Sequence, residues 1–275
     1  MHGSYIINKD DCFELWKCSD CDCIFISNIN IDKQYYEKYY ADDYYSNTRD
    51  FGFINNAWSF IYRLFFNRKE RIISSYFRRG KEKLSILDIG CGDGKFLLSL
   101  NNKRFEKNGA EINPQGVVIC REKGINIYDQ DICSTDFGEK KFDVVSLWHV
   151  IEHLENPSLI FKKIKEILKN DGILIFQIPN NKSLGFKFGK ENWFHLDSPR
   201  HLNIPNKKTI WKVCEKNELK IIDIKNEFYD YPLDLFWSIR KSKMRFLMYP
   251  LYPFFKFFSR EHLTYVINKK DEKLK

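Results

Sequence analysis

A chain of 275 residues, 43% hydrophobic and 16% aromatic, is long enough for one sizeable core with additions. No apolar run reaches the roughly 18 residues of a membrane-spanning helix, and the start lacks the basic-then-apolar order of a secretory signal. The net charge of +8 is uneven, because residues 231–275 hold ten Lys/Arg against four acids; this argues against a nucleic-acid enzyme with a basic active face and for a local basic patch.

Residues 1–30 form a short segment with Cys12, Cys18, Cys21 and Cys23. The eight cysteines of the chain follow no regular framework and fit a reducing cytoplasm. Residues 31–80 read as a helical cap: Gln34–Tyr40, then an aromatic stretch from Trp58 to Phe77 with Arg63, Arg68, Lys69 and Arg71 at helical spacing. Residues 81–275 are expected to form one domain with an insertion at about 231–260, and 84–180 carry alternating strands and helices. Ile86-Leu87-Asp88-Ile89 predicts a strand feeding Gly90-x-Gly92-x-Gly94 and then a helix. Further strands are expected at 107–112, 125–128, 142–147, 173–178 and 220–224, with a last one near 264–267. A helix after Asn156-Pro157 is expected to be capped by Asn156, to bury Ile160, Ile164, Ile167 and Leu168, and to end at Asn170-Asp171-Gly172. Another helix is expected over 207–216. The order predicts an α/β fold: a Rossmann-like, doubly wound, mostly parallel seven-stranded sheet with helical N-terminal additions.

The chemistry concentrates at the ends of these strands. Glycines at alternate positions remove every Cβ from one bend, so a ligand can press against bare backbone. Glu111 lies 21 residues after Gly90, near the spacing at which an acid meets a ribose diol. Asp131 with Ile132 is placed to reach a base edge, or to cap a turn. His149 and His153, four apart, are expected to share a helix face. That spacing suits a metal too, but Val150 stands where a zinc protease needs Glu, so no metal ligand is assigned here. Trp193–Leu202 gathers His195, Asp197, Arg200 and His201 in one loop, either a site or a turn in which Asp197 pairs with Arg200.

The run Leu87-Asp88-Ile89-Gly90-Cys91-Gly92-Asp93-Gly94, with Glu111, Asp131 and Phe142-Asp143-Val144-Val145, resembles the class I S-adenosylmethionine-dependent methyltransferases over about residues 84–225 plus the last strand. The resemblance implies that Gly90, Cys91, Gly92 and Gly94 border the amino-acid part of S-adenosylmethionine, and that Asp88 organises its ammonium. It implies Glu111 and Ile112 at the ribose, Asp131 and Ile132 at the adenine, and the backbone of Leu147 and Trp148 beside the adenine or sulfur. Trp193-x-x-x-Asp197-x-Pro199-Arg200-His201-Leu202 resembles a subgroup often encoded with sugar or surface-polysaccharide pathways. This implies O-methylation of a sugar or glycan intermediate, with His153, or His201 with Asp197, as base and His149, His195 and Arg200 binding the acceptor. The region Trp148–Pro157 also resembles ubiquinone-pathway methyltransferases, which implies a phenolic or quinone-like acceptor as the alternative. A binding module that holds the cofactor without turnover is the other alternative.

The same subgroup often begins with a four-cysteine zinc ribbon. Here only Cys18-Ser-Asp-Cys21 and the Tyr-rich helix match it; Cys12, Cys18, Cys21 and Cys23 are cramped as four ligands, and free thiols in a degenerate ribbon are the preferred reading. Residues 231–260 mix aromatics with Lys and Arg, a pattern that suits either a peripheral membrane contact or an insertion over the acceptor pocket.

Overall fold

Residues 13–40, 52–77, 83–227 and 231–270 are described by the computed structural model; Cys12 and the side chains of Trp58 and Arg63 lie outside that description. Strands β1 (Leu15–Lys17) and β2 (Ile24–Ile26) lead to helices α1 (Lys33–Tyr39) and α2 (Gly52–Ser75). The alternation then runs β3 (Leu84–Ile89), α3 (Lys95–Ser99), β4 (Phe105–Ala110), α4 (Pro114–Glu122), β5 (Asn126–Tyr128), β6 (Phe142–Trp148), α5 (Pro157–Ile167) and β7 (Leu168–Pro179). After it come α6 (Leu184–Gly189), β8 (Asn203–Ile204), α7 (Lys207–Lys216), β9 (Leu219–Glu227), α8 (Asp234–Ile239), α9 (Arg245–Met248), α10 (Tyr252–Ser259) and β10 (His262–Lys269).

Seven strands form one sheet in the order β5-β4-β3-β6-β7-β10-β9. Pairing is parallel from β5 to β7, while β10 runs antiparallel to both β7 and β9. This is the expected α/β Rossmann-like sheet. Its central strands are apolar on both faces because both faces are covered. With a side-chain period of two, Leu84, Ile86, Val144, Ile173 and Ile175 join one core with Ile73 of α2, Phe96 and Leu97 of α3 and Cys120 of α4. Leu87, Ile89, Val145, Leu147, Leu174, Phe176 and Ile178 join the other, under Ile160, Phe161, Ile164 and Ile167 of α5 and Ile210 and Cys214 of α7.

Three local expectations are corrected. Asn156 makes no side-chain cap to α5, which starts on the fixed φ of Pro157 alone. Leu168 does not finish the helix face. It pairs with Phe142 as the first residue of β7, and the pairing resumes only at Ile173 opposite Val144. Asn170-Asp171-Gly172 is therefore a bulge inside a strand rather than a helix stop, because burying Leu168 against the sheet outweighs the turn chemistry of those residues.

The described part of the amino-terminal segment, from residue 13, packs on the rest of the chain. β1 pairs with β2, and β2 pairs with β8, which follows the histidine loop: Ile24 lies opposite Ile204 and Phe25 opposite Asn203. Asn206 Nδ2 and Thr209 Oγ1 both donate to Cys21 O, and Tyr35 Oη of α1 donates to Pro199 O. Residues 231–260 become the three short helices α8–α10, inserted between the last two strands of the sheet in chain order. They enclose a small core of Leu235, Ile239 and Met248 against Leu184 and Phe188.

Candidate functional site

The glycine bend leaves β3 at its carboxyl end. Gly90, Gly92 and Gly94 all have positive φ (68°, 57° and 73°), which β-carbon-bearing residues rarely adopt. Space is equally restrictive: a Cβ at Gly90 would sit 2.6 Å from Val150 Cγ2. One turn on, α4 is capped by Asn113, whose Oδ1 accepts from Gln115 N at 2.9 Å and Gly116 N at 3.2 Å. Gly116 lets α4 press on the bend, since a Cβ there would lie 2.9 Å from Gly92 O.

Glu111 ties these parts together. Its Oε2 accepts from Gly92 N at 2.9 Å, and its Oε1 accepts from Ile112 N at 2.9 Å and Asn113 N at 2.8 Å. A carboxylate oxygen has two lone pairs, so Oε1 is full and Oε2 retains one acceptor position. Asp88 is buried behind the bend. Burial pushes its carboxyl up to about 7, against the pull of the Ser146 hydroxyl, which donates to Oδ1 at 2.6 Å, and of the Lys69 ammonium.

The bend faces a cavity of about 480 Å³. Phe66, Lys69, Phe96 and Trp148 wall one part, and His149, His153, His195, His201, Asp197, Arg200 and Tyr231 another. Lys69 Nζ lies 4.1 Å from the centre of the Trp148 ring, and Phe96 meets that ring edge to face at 5.2 Å. Four imidazoles therefore meet here, and a fifth, that of His262, meets His195 and His149 edge to face with ring centres 4.1 Å and 4.8 Å apart.

Two acids organise the imidazoles. Glu152 is fully buried and neither of its oxygens is in a hydrogen bond, but His149 Nδ1 lies at 3.4 Å and His201 Nε2 at 3.9 Å, ion-pair contacts without hydrogen-bond alignment. Burial alone would raise its carboxyl; His149, His201 and His153 outweigh it and hold the group at about 2. Asp234 of α8 accepts from His195 Nε2 at 3.0 Å and from Lys256 Nζ of α10 at 2.6 Å. His195 is pushed below its usual range by burial, and His262 well below it by burial and by the neighbouring imidazoles. His153 is held at about 4, mainly by burial and by His201; its Nδ1 contacts both Arg200 O and Tyr40 Oη at 3.0 Å. Among the described residues, metal-ligating atoms converge in two groups, Glu152/His153/His201 and His195/Asp234/His262. Neither includes Cys18, Cys21 or Cys23.

The sequence-predicted residues fall into three sets. Asp88, Gly90, Cys91, Gly92, Trp148, His149, His153, His195, Asp197, Arg200 and His201 line the cavity together. Glu111 and Gly94 build the bend without lining it. Leu147 and Ile132 point their side chains into the core, so only their backbone is offered, whereas Ile112 is 65% exposed beside Glu111. Asp131 Oδ1 caps its own turn, accepting from Cys133 N at 2.8 Å and Ser134 N at 3.2 Å.

Two pairings differ from expectation. His149 and His153 do not share a helix face, because only a single 3-10 turn forms (Ile151–His153) and His149 precedes it with φ of 56°. The Asp197 carboxylate pairs with Arg200 at 2.7 Å and its backbone O accepts from His201 N at 3.1 Å, while the His201 ring is held through Nδ1 by His195 O at 2.8 Å. Sequence reasoning missed Glu152, although it stands between the two histidines of His149-x-x-Glu152-His153. It also missed Phe66, Asp234, Tyr231 and His262, which no local pattern marks.

Residues 59–224, more than half of the chain, match a family described as a methyltransferase domain. A ubiquinone biosynthesis O-methyltransferase of Glaesserella parasuis is 29% identical over 112 residues, 37% of this chain and 48% of the relative. One of Rickettsia canadensis is 24% identical over 216 residues, 73% and 89% of the two chains. The (S)-coclaurine N-methyltransferase of Papaver somniferum is 27% identical over 125 residues, 42% of this chain and 36% of the relative. The matched stretch thus spans about half or less of the length of most of these curated relatives. Among solved structures, the plantazolicin methyltransferase BpumL in complex with a triazolic desmethylPZN analog and SAH superposes with a TM-score of 0.56 at 17% identity, covering 86% of this chain and 94% of that one. The [4+2]-cyclase SpnF does so with 0.53 at 15%, covering 74% and 81%.

Proposed function

The chain belongs to the methyltransferase-domain family, and from that premise we propose that it moves a methyl group from S-adenosylmethionine to a hydroxyl oxygen. One observation carries the reading: the bare glycine bend, braced by Glu111 and backed by Asp88, opens on the same cavity as a cluster of imidazoles. The donor set fits the cofactor. The free acceptor position on Glu111 Oε2 suits a ribose hydroxyl, and Asp88, poised near neutral pH by its burial, is drawn further to the carboxylate by a cation such as the ammonium. Asp131 retains Oδ2 for an adenine amino group. When bound, the cofactor supplies a methyl already activated on a sulfonium.

The protein then has to orient the acceptor, exclude water and take a proton. His153 is assigned the last task. With Nδ1–H donated to Arg200 O, its Nε2 carries the lone pair, and burial keeps the ring neutral across the physiological range. Asp197 then acts through Arg200, fixing the segment that holds His153, rather than as a partner of His201. His195, held through Nε2 by Asp234, leaves Nδ1 as a hydrogen-bond acceptor for a substrate hydroxyl.

The acceptor favoured by the wall of Phe66, Phe194, Trp148 and Tyr231, and by the relatives named as ubiquinone biosynthesis O-methyltransferases, is a phenolic or quinone-like molecule. A sugar hydroxyl is the second reading, supported by the Trp193–Leu202 run. The SpnF likeness is a reminder that this fold does not by itself fix methyl transfer. Titration calorimetry with S-adenosylmethionine, followed by labelled-methyl transfer to a panel of catechols, hydroquinones and nucleotide sugars, tests the proposal. No cofactor binding overturns it entirely; binding without transfer to any member favours a non-catalytic module.

A further inference from the structure

Helix α10 is inside out. Its buried side carries Lys256 and Ser259, 6% and 1% exposed, whereas Phe254, Phe257 and Phe258, at positions i, i+3 and i+4, face solvent at 59%, 57% and 50% exposure. Lys256 is drawn inward by Asp234, so the helix cannot be rotated to bury its phenylalanines without breaking that buried pair. The preceding turns add Phe246, Leu247 and Leu251, all more than half exposed. Phe254, Phe257 and Phe258 touch one another through their rings, and so many large exposed apolar side chains within 246–258 are rare on a protein that meets only water.

Its surroundings name the partner. Between 231 and 260 the only acid is Asp234, and it is consumed inside by Lys256 and His195. Lys241, Lys243, Arg245 and Arg260 are exposed around the apolar patch. Aromatic and aliphatic side chains ringed by cations, on short helices with no acid outside, complement the acyl boundary and headgroups of an anionic bilayer. A second copy of the chain would bring the same cations face to face.

We propose that α9–α10, with the turns flanking them, form a membrane-docking surface for anionic lipid. The proposal stands apart from methyl transfer, although the same insertion supplies Tyr231 to the cavity wall and Asp234 to His195. The test is co-sedimentation of the full chain with vesicles of phosphatidylcholine alone or with phosphatidylglycerol added, at low and physiological salt, with light scattering of the free protein. The expected result is a monomer that binds the anionic vesicles at least about tenfold better than neutral ones, with salt weakening the preference. Phe254→Ser/Phe258→Ser should lose binding to both vesicle types by about tenfold or more. Lys241→Glu/Lys243→Glu should lose only the anionic preference. These side chains are exposed, and an unchanged circular dichroism spectrum confirms folding; were either variant to unfold, the wild-type salt and lipid dependence would still decide. No binding to either vesicle, or a dimer that the phenylalanine variant splits, overturns the proposal.

Discussion

Asp88 provides the sharpest test of the site's electrostatics. In the fold its carboxyl titrates near 7 rather than 3.8, chiefly because it is buried. The folded state thus holds the proton more tightly than the unfolded state, so wild-type stability falls as pH rises from about 4 to about 7 and is level above that. A difference of about three units corresponds to ~4 kcal/mol once the group is ionised in both states, and to about 1.5 kcal/mol at pH 5. Asp88→Asn cannot ionise. It gives up the charged partner of the Ser146 hydroxyl, which costs about 1 kcal/mol. The variant is therefore expected to be more stable than wild type by ~2–4 kcal/mol near pH 8 and nearly equal to it near pH 5, while binding S-adenosylmethionine more weakly. Urea unfolding followed by tryptophan fluorescence at both pH values measures this directly. A variant less stable than wild type at high pH, or a difference that does not change with pH, refutes the reasoning.

Other outcomes follow from the same geometry. Gly116→Ala places a methyl against Gly92 O, which is backbone and cannot yield; about 1–3 kcal/mol of stability and much of the cofactor affinity should be lost, and an unchanged Kd in calorimetry would contradict the close approach. His153→Gln should lower kcat by about 10²–10⁴ with KM little altered, whereas His195→Gln should act mainly on KM; single-substrate kinetics with the accepted hydroxyl compound separates the two. The depressed values of His195 and His262 mean that the unfolded chain binds protons first as pH falls below about 6.5. Their contribution is whole above that pH and lost below it, so His262→Asn should flatten the fall of stability between about pH 6.5 and 5 relative to wild type, as thermal melts would show.

Most of the sheet is legible in the sequence because its signals are local. The strand-glycine-helix order at 84–100, the apolar run 173–178 and the helix 207–216 each declare themselves within a dozen residues, and Glu111 is fixed by its distance from the bend. The site is less legible because it is assembled across the fold. His195 meets Asp234 across 39 positions, and His262 meets the rings of His195 and His149 only because β10 inserts antiparallel beside β7. The stop at Asn170-Asp171-Gly172 failed for a related reason: local turn chemistry there is outweighed by sheet pairing of Leu168, which the sequence does not announce.

The ladder from β2 to β8 bears on where this enzyme begins as a physical object. The family match starts at residue 59, and inheritance would draw the boundary there. Yet Leu202 O is satisfied by Ile26 N, Pro199 O by Tyr35, and His153 by Tyr40. The stretch ahead of the shared domain is thus a brace for the loop at 193–202. A chain shortened only at its amino end, to residue 59, should keep its sheet and its glycine bend, and so bind cofactor, while the loop at 193–202 loses its support. The unit that is copied between relatives and the unit that works are different lengths of chain.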